Sequence, residues 1–181
     1  MTCIVGVPQG GGRVVMGADS AGLCDWDLTV RADAKVFTRG PFLMGFTSSF
    51  RMGQLLKYRL DVPEHPEGMA DLEYLSTAFV DAVRECLGDG GWRKKEHERE
   101  EGGTFLVGYR GRVYEVESDF QVGEPAAGYA ACGCGARIAL GALHALGVRV
   151  PPTERVRRAL EAAEALSAGV RGPFVILEGA A

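Results

Sequence analysis

The 181-residue sequence has no apolar run near the 18 residues that a membrane-spanning helix needs. Its first residues lack the charged and apolar regions of a secretory signal. It also has no basic stripe, and its formal net charge is −4. A basic surface is the electrostatic mark of nucleic-acid binding, so we expect no nucleic-acid partner, no membrane partner and a cytoplasmic location.

Cysteine and histidine are few and scattered. An odd number of cysteines without a small-domain framework is typical of a reducing compartment. The pair Cys132 and Cys134 has no second Cys/His pair at a zinc-like spacing. The complete set is Cys3, Cys24, Cys86, Cys132, Cys134, His65, His97 and His144. We therefore expect no disulfide scaffold, no metal site and no cofactor.

The hydrophobic pattern alternates between strand and helix periods along the chain. Strands are predicted at Cys3–Val7 and Arg13–Ala18, in the segments KVFT and FLMGFT, and in a hairpin that turns at Arg110-Gly111. Helical spacing covers residues 50–60 and 69–87, then the segments ARIALGALHAL and TERVRRALEAAEAL, and PFVIL predicts a last strand. Residues 19–34 are predicted as a loop with some local structure, and residues 92–103 as a solvated loop or helix end.

This order, strands, two helices, strands, two helices, strand, predicts an α+β fold. Two stacked antiparallel sheets with a helix pair outside each would bury every apolar face. No linker or internal repeat divides the sequence, so a single domain over residues 1–181 is expected. Layer order alone does not predict a function.

The opening segment MTCIVGV places a hydroxyl just before the first strand. Removal of Met1 is favoured by a small second residue, and it would make Thr2 the first residue. The α-amine of a terminal threonine can act as the base for its own hydroxyl, because such an amine has a pKa of about 7.7–8.0. Cys3 is a rival nucleophile, but its side chain is expected on the opposite face of the strand. Taken alone, Thr2 is equally consistent with an ordinary second residue.

Further segments make the sequence similar to a known family. The segments TCIVGV, GRVVMGADS, ADAKVF, FLMGFTSS, GGTFLVGYRGRVYEVES and AACGCGARIALGAL follow in an order and spacing that resembles proteasome β-subunits, especially the HslV-type peptidases of bacteria. The resemblance implies a four-layer αββα fold of the N-terminal-nucleophile hydrolase class and a threonine peptidase activity. It further implies a homo-oligomeric ring, a peptide or unfolded-protein substrate and a possible AAA+ ATPase unfoldase as partner.

The resemblance also implies roles for five residues. Thr2 is the nucleophile, Asp19 and Lys35 are its buried charged neighbours, the Gly45 N–H forms the oxyanion hole, and Cys134 replaces a serine near the nucleophile. A cation beside the hydroxyl would lower its pKa, and Asp19 would be the partner that a buried lysine needs. A purely structural ion pair and a strand-bulge glycine are the alternative interpretations of these residues.

The resemblance further implies a specificity pocket formed by residues after the first two strands and at the start of the first helix. Its candidates are Asp33, Phe46, Thr47, Ser48 and Phe50. The two phenylalanines are equally consistent with the hydrophobic core.

Two departures from the family pattern leave other functions open. Ser167 stands nearest to the position where the family has an aspartate, and Cys134 is a weaker hydrogen-bond donor than the serine it replaces. A catalytically weak or inactive ring or scaffold protein, and a small-molecule amidohydrolase of the same nucleophile class, are therefore alternatives to the peptidase.

Overall fold

Two antiparallel sheets form the centre of the fold, in a computed structural model that describes residues 1–179. The last two residues of the predicted domain lie outside the described residues. The strands are, in chain order, β1 (Ile4–Gly10), β2 (Arg13–Ala18), β3 (Ala21–Cys24), β4 (Asp27–Val30), β5 (Val36–Arg39), β6 (Phe42–Phe46), β7 (Lys94–Glu96), β8 (Arg99–Glu101), β9 (Phe105–Tyr109), β10 (Arg112–Val116), β11 (Val122–Gly123), β12 (Ala130–Cys132) and β13 (Val175–Glu178).

The first sheet has the strand order β12-β1-β2-β13, and the second has the order β11-β10-β9-β6-β5. Their adjacent strands are antiparallel, as the predicted hairpins require. Residue Ile4 of β1 pairs with Ala18 on one side and with Cys132 on the other. The N-terminal strand is therefore a central strand, which holds the residue before it in a fixed position.

Helices cover the outer faces of both sheets. The helices are α1 (Phe50–Tyr58), α2 (Asp71–Tyr74), α3 (Val80–Asp89), α4 (Ala136–Leu146) and α5 (Pro152–Leu166). A π-helical turn at Leu75–Phe79 joins α2 to α3, so the predicted helix over 69–87 is present with a wider turn in its middle. The helix α1 begins after Ser49, whose hydroxyl accepts a hydrogen bond from the Arg51 N–H at 3.0 Å.

Three apolar clusters fill the spaces between four layers. Ile4, Met16 and Leu106 belong to the cluster between the two sheets. Cys3, Val5 and other residues of opposite parity pack with α4 and α5, while the third cluster packs the second sheet against α1, the π-helical turn and α3. This arrangement is the αββα sandwich of the predicted α+β class.

Two short hairpins stand apart from the main sheets. The strands β3 and β4 lie within the segment predicted as a loop, and all four residues of β4 are exposed. The strands β7 and β8 lie within residues 92–103, where a solvated loop or helix end was expected. That expectation was wrong because both strands consist of charged residues, which leave no apolar alternation to detect.

None of the helices in residues 1–179 combines the length and the apolar character needed to cross a lipid bilayer.

Candidate active site

The residues before β1 are held by the segment Gly133-Cys134-Gly135, which leads from β12 into α4. The Gly135 N–H donates to the Thr2 carbonyl oxygen at 3.2 Å, and the Cys134 thiol donates to the same oxygen at 3.4 Å. Gly133 has a φ of 97°, and a Cβ there would lie 2.3 Å from the Thr2 oxygen. Only glycine fits at this position, so the segment fixes the backbone of Thr2 by close approach.

The hydroxyl of Thr2 meets a buried ion pair. Lys35, at the start of β5, donates a hydrogen bond from Nζ to Thr2 Oγ1 and a second to Asp19 Oδ1 at 2.8 Å. Thr2 is 3% exposed, and Asp19 and Lys35 are 1% exposed. The structure thus brings together the three residues that the sequence predicted around the nucleophile.

The Asp19 carboxylate has four partners in all. Besides Lys35, its oxygens accept from the N–H groups of Cys3 at 3.0 Å, Ala21 at 2.9 Å and Arg171 at 3.3 Å. The neighbouring Ser20 N–H donates to the Arg171 carbonyl at 2.8 Å. A fully buried carboxylate is tolerable only with such a set of donors. The Asp19 carboxylate thereby joins the start of β1, the end of β2 and the segment before β13.

Burial changes the protonation behaviour of two side chains here. Burial lowers the pKa of Lys35 below its ordinary 10.5, and the Asp19 carboxylate opposes that shift. Burial is the main cause that raises the pKa of the Cys3 thiol to about 12, and the negative charge of Asp19 contributes less to the same shift. Cys3 also packs in the apolar cluster beneath α4 and α5. It is therefore neither ionised nor directed at the Thr2 hydroxyl, and its candidacy as nucleophile is weakened by both facts.

The backbone nitrogen of Thr2 lies in a small polar group. It donates to Cys134 Sγ at 3.3 Å, and that sulfur is 3.7 Å from Ser167 Oγ at the C-terminal end of α5. Ser167 therefore occupies the neighbourhood expected for the missing aspartate, without its charge. Met1 is 63% exposed and borders this group beside Gly169, where an added Cβ would lie 2.8 Å from Met1 Cβ.

A cleft opens next to the Thr2 hydroxyl. Met1, Thr2, Leu23, Lys35 and the segment 46–50 line it. The predicted pocket residues Phe46 and Thr47 therefore lie at the cleft, together with the further candidates Ser48 and Phe50. Asp33 does not lie among these lining residues.

Asp33 is exposed and is bound instead by a neighbouring guanidinium. Its two carboxylate oxygens each accept a hydrogen bond from Arg31 at 2.7 Å. The guanidinium holds the pKa of Asp33 below its usual value. Asp33 thereby holds Arg31, whose guanidinium lies 3.9 Å from the centre of the Phe50 ring. A role of Asp33 in substrate binding stays a prediction, which its absence from the cleft lining does not support.

Gly45 lies in the interior of β6 rather than at the cleft. The Thr47 N–H donates to the Thr104 carbonyl oxygen at 3.2 Å. Along an antiparallel ladder every second residue makes such a bond to the same neighbouring strand. Gly45 lies two residues before Thr47, so its N–H is directed at β9, where its partner is Leu106. A Cβ at Gly45 would lie 2.5 Å from Ile4 Cγ2 and 2.7 Å from Met16 Sδ, so this glycine serves the close packing of the two sheets.

The sequence predicted Ser48 only as a pocket residue, but its backbone conformation and its N–H group are of more interest. Its φ of 63° is unusual for a residue with a side chain. Its hydroxyl accepts from the Thr104 N–H at 3.0 Å, whereas its own N–H has no hydrogen-bond acceptor within residues 1–179. The sequence signal for it is the N-cap Ser49, because the residue before a cap must turn the chain into the helix.

Among residues 1–179, no group of three or more His, Cys, Asp and Glu side chains converges in a way that could hold a metal ion.

Comparison with known proteins gives structural neighbours only. No family model matches the sequence, and a search of the curated proteins finds no match either. Thiobacillus denitrificans BPH in complex with Epoxomicin superimposes with a TM-score of 0.78 at 17% identity, covering 97% of each chain. HslV from Trypanosoma brucei superimposes with a TM-score of 0.67 at 18% identity, covering 98% of each chain. The chain therefore has the four-layer N-terminal-nucleophile hydrolase fold that HslV also adopts.

Proposed function

We propose that the chain is a threonine-type peptidase in which Thr2, after removal of Met1, is the N-terminal nucleophile. The observation that carries the proposal is the buried contact of the Lys35 ammonium with both Thr2 Oγ1 and the Asp19 carboxylate. A positive charge placed on a hydroxyl favours the alkoxide over the neutral form. The same charge disfavours protonation of an adjacent amine, which keeps that amine available as a base.

The reaction is an acyl transfer in two halves. Thr2 Oγ1 forms a bond to the scissile carbonyl carbon while its proton passes to the α-amine. The carbon–nitrogen bond of the substrate then breaks, and the proton passes from the α-amine to the leaving amine. Water subsequently attacks the ester, which releases the carboxylic acid and restores the hydroxyl. No metal or cofactor takes part in this sequence.

The Ser48 N–H is the donor that we assign to the developing oxyanion, in place of Gly45. It lines the cleft with Thr2 and has no acceptor within residues 1–179. The helix α1 begins at the same place, so the positive end of its dipole supports negative charge there. A preorganised N–H of this kind contributes about 3–4 kcal/mol in acyl-transfer enzymes.

Removal of Met1 is a condition of this mechanism. With Met1 attached, the nitrogen of Thr2 is an amide, and an amide is not a base. In the present arrangement that nitrogen donates to Cys134 Sγ at 3.3 Å. As a free amine it would have the same neighbour, with Ser167 next to the sulfur. Cys134 and Ser167 would then orient the amine by hydrogen bonds in place of a carboxylate.

The proposal includes assembly into a homo-oligomeric ring in the cytoplasm that cleaves peptides or unfolded proteins, with an AAA+ ATPase as a possible unfoldase. The resemblance to HslV-type peptidases supports it. An exposed apolar hairpin supports it as well, since Trp26 is 98% exposed, and Leu28 and Val30 are about half exposed. Exposed apolar clusters of this kind mark protein contacts.

Mass spectrometry and covalent labelling test the peptidase proposal. We expect purified protein to lack Met1 and to gain one adduct on Thr2 with a peptide epoxyketone, a reagent that needs both a hydroxyl and a free amine. The Thr2→Ala variant should give neither adduct nor hydrolysis. Cys3→Ala is the matched control and should keep both. Retention of Met1 in active protein, or hydrolysis by Thr2→Ala, would contradict the assignment.

A ring protein without activity is the outcome that those same measurements would reveal. Met1 retained on an assembled, unlabelled particle would favour the scaffold alternative. Labelling of Thr2 with turnover of small amides but not of peptides would favour the amidohydrolase.

A further inference from the structure

The cleft beside Thr2 is small. Its volume is about 80 Å³. An engineered, enclosed protein cavity of roughly 150 Å³ holds one benzene molecule, so an open cleft of about half that volume favours a side chain smaller than an aromatic ring. Removal of Met1 would widen the entrance of the cleft, where Met1 lies. The inner walls belong to the segment 46–50 and do not depend on Met1.

The Phe46 ring belongs to the part of the cleft wall that residues 46–50 form, and it has no room to move away. A Cβ on Gly53, in α1, would lie 2.2–2.4 Å from three atoms of this ring, so the helix backbone packs directly on it. Phe50 meets the ring edge to face with centroids 5.8 Å apart. Phe46 is 5% exposed and belongs to the apolar cluster under α1 and α3. The inner wall is therefore part of the rigid core.

Two cations lie near the Phe50 ring of the cleft, and each is paired with a carboxylate. The Arg31 guanidinium lies 3.9 Å from the centre of the Phe50 ring, and both oxygens of Asp33 fix it there. The Lys35 ammonium is 5.7 Å from the same ring on the inner side. Among the described residues, no carboxylate lines the cleft. The nearest candidates, Asp19 and Asp33, are paired with Lys35 and Arg31. A cationic substrate side chain would therefore find no free carboxylate in the cleft.

We propose that this cleft is the specificity pocket and that it admits only a small side chain without positive charge, such as that of alanine or serine, on the residue whose carbonyl Thr2 attacks. The inference rests on the proposed peptidase function. Phe46 is its specificity-determining residue because its ring occupies the space that a larger side chain would need. The Thr47, Ser48 and Ser49 backbone and hydroxyls that line the cleft suit a small polar group as well as a methyl group.

Substrates that differ only at this residue test the proposal. We expect N-acyl tripeptides with a fluorogenic leaving amine to be cleaved at least tenfold faster, by kcat/KM, with alanine than with leucine, phenylalanine or arginine. Equal or faster cleavage of the leucine or phenylalanine substrate would overturn the proposal.

A variant of the wall supplies the second test. Phe46→Leu should raise kcat/KM for the leucine substrate relative to alanine by about tenfold. Phe37→Leu is the matched control, because Phe37 lies in the same buried cluster, 6.4 Å from Phe46, and does not line the cleft. It should leave the ratio unchanged. A ratio that moves equally in both variants, or in neither, would show that Phe46 does not set the size limit.

Epoxyketones with alanine or leucine at the reactive position separate this inference from the proposed function. Faster labelling of Thr2 by the alanine reagent supports both. Labelling by both reagents at equal rates keeps the peptidase and overturns the small pocket. Labelling by neither, with Met1 removed, overturns the proposed function itself.

Discussion

Lys35 and Asp19 form a buried ion pair, with Nζ 2.8 Å from Oδ1 and side chains that are 1% and 0% exposed. The pair also contacts the hydroxyl of Thr2. A structural ion pair and a catalytic one have the same geometry here, so their roles must be separated by experiment.

Lys35→Met should remove activity and leave the fold intact. Methionine keeps much of the volume of lysine, and the Asp19 carboxylate retains its three N–H donors, from Cys3, Ala21 and Arg171. We expect kcat to fall by at least a hundredfold, with assembly unchanged by sedimentation velocity. Lys35→Ala should behave alike. Normal turnover in both variants would make the lysine structural only.

Asp19→Asn should damage both stability and activity. The amide leaves the buried Lys35 cation without a counter-charge and turns an NH₂ group towards backbone donors. Loss of one partner of a buried pair costs roughly 3–5 kcal/mol. Denaturant unfolding should show this loss, and it should exceed that of Lys35→Met. A smaller loss than in the lysine variant would contradict the assigned hydrogen-bond pattern.

Activity should decline at alkaline pH earlier than an ordinary lysine would cause. Burial lowers the pKa of Lys35 below 10.5, so its charge is lost as the pH rises through that lowered pKa. Stability should change in the opposite direction. The cost of burying the cation is present below the lowered pKa and is relieved as the pH rises towards 10.5. Profiles of kcat/KM and of thermal unfolding against pH should therefore diverge, whereas a parallel decline would indicate simple alkaline unfolding.

Thiol reagents should inhibit the enzyme through Cys134. This cysteine is exposed, and its sulfur is 3.3 Å from the nitrogen of Thr2. Burial raises the pKa of Cys3 and of Cys132, so these thiols should stay unmodified. Iodoacetamide should therefore inactivate the parent, while Cys134→Ser should remain active after treatment. Cys24→Ser is the control, because Cys24 is also exposed; protection by this variant would contradict the assignment.

Assembly should depend on the exposed β3–β4 hairpin. We expect sedimentation velocity to show a species far larger than the 19.3 kDa monomer. Trp26→Glu should shift that species towards monomer, because Trp26 is 98% exposed in the single chain. Tyr58→Glu, at the end of α1 and 66% exposed, should not. A stable monomer of the parent at micromolar concentration would rule the ring out.

The parts of the fold with a clear hydrophobic period were predictable from the sequence. The apolar run from Cys3 to Val7 located β1, and the 3.6-residue period located α1 and α3. The β3–β4 hairpin was missed because its strands are only four residues long and all of β4 is exposed, so its apolar residues face no core. The resemblance to HslV-type peptidases also paired Asp19 with Lys35, which the structure brings within hydrogen-bond distance.

The misplaced residues depend on backbone direction, which a single sequence does not contain. Gly45 and Ser48 are three residues apart, and only the strand pairing shows that the first N–H is directed at β9 while the second borders the cleft. Asp33 was a pocket candidate because of its place after the first two strands, but its carboxylate is bound locally by Arg31 two residues earlier.

The contacts of Asp19 also impose an order on biogenesis. Its carboxylate accepts from Arg171, which lies 152 residues later in the sequence, and Ser20 Oγ donates to the Pro173 carbonyl at 2.6 Å. The carboxylate that holds Lys35 against Thr2 is therefore fixed only when the segment leading into β13 docks. A chain in synthesis would already carry Thr2, yet the proposed nucleophile would be completed only after residues 171–173 have been made and have docked.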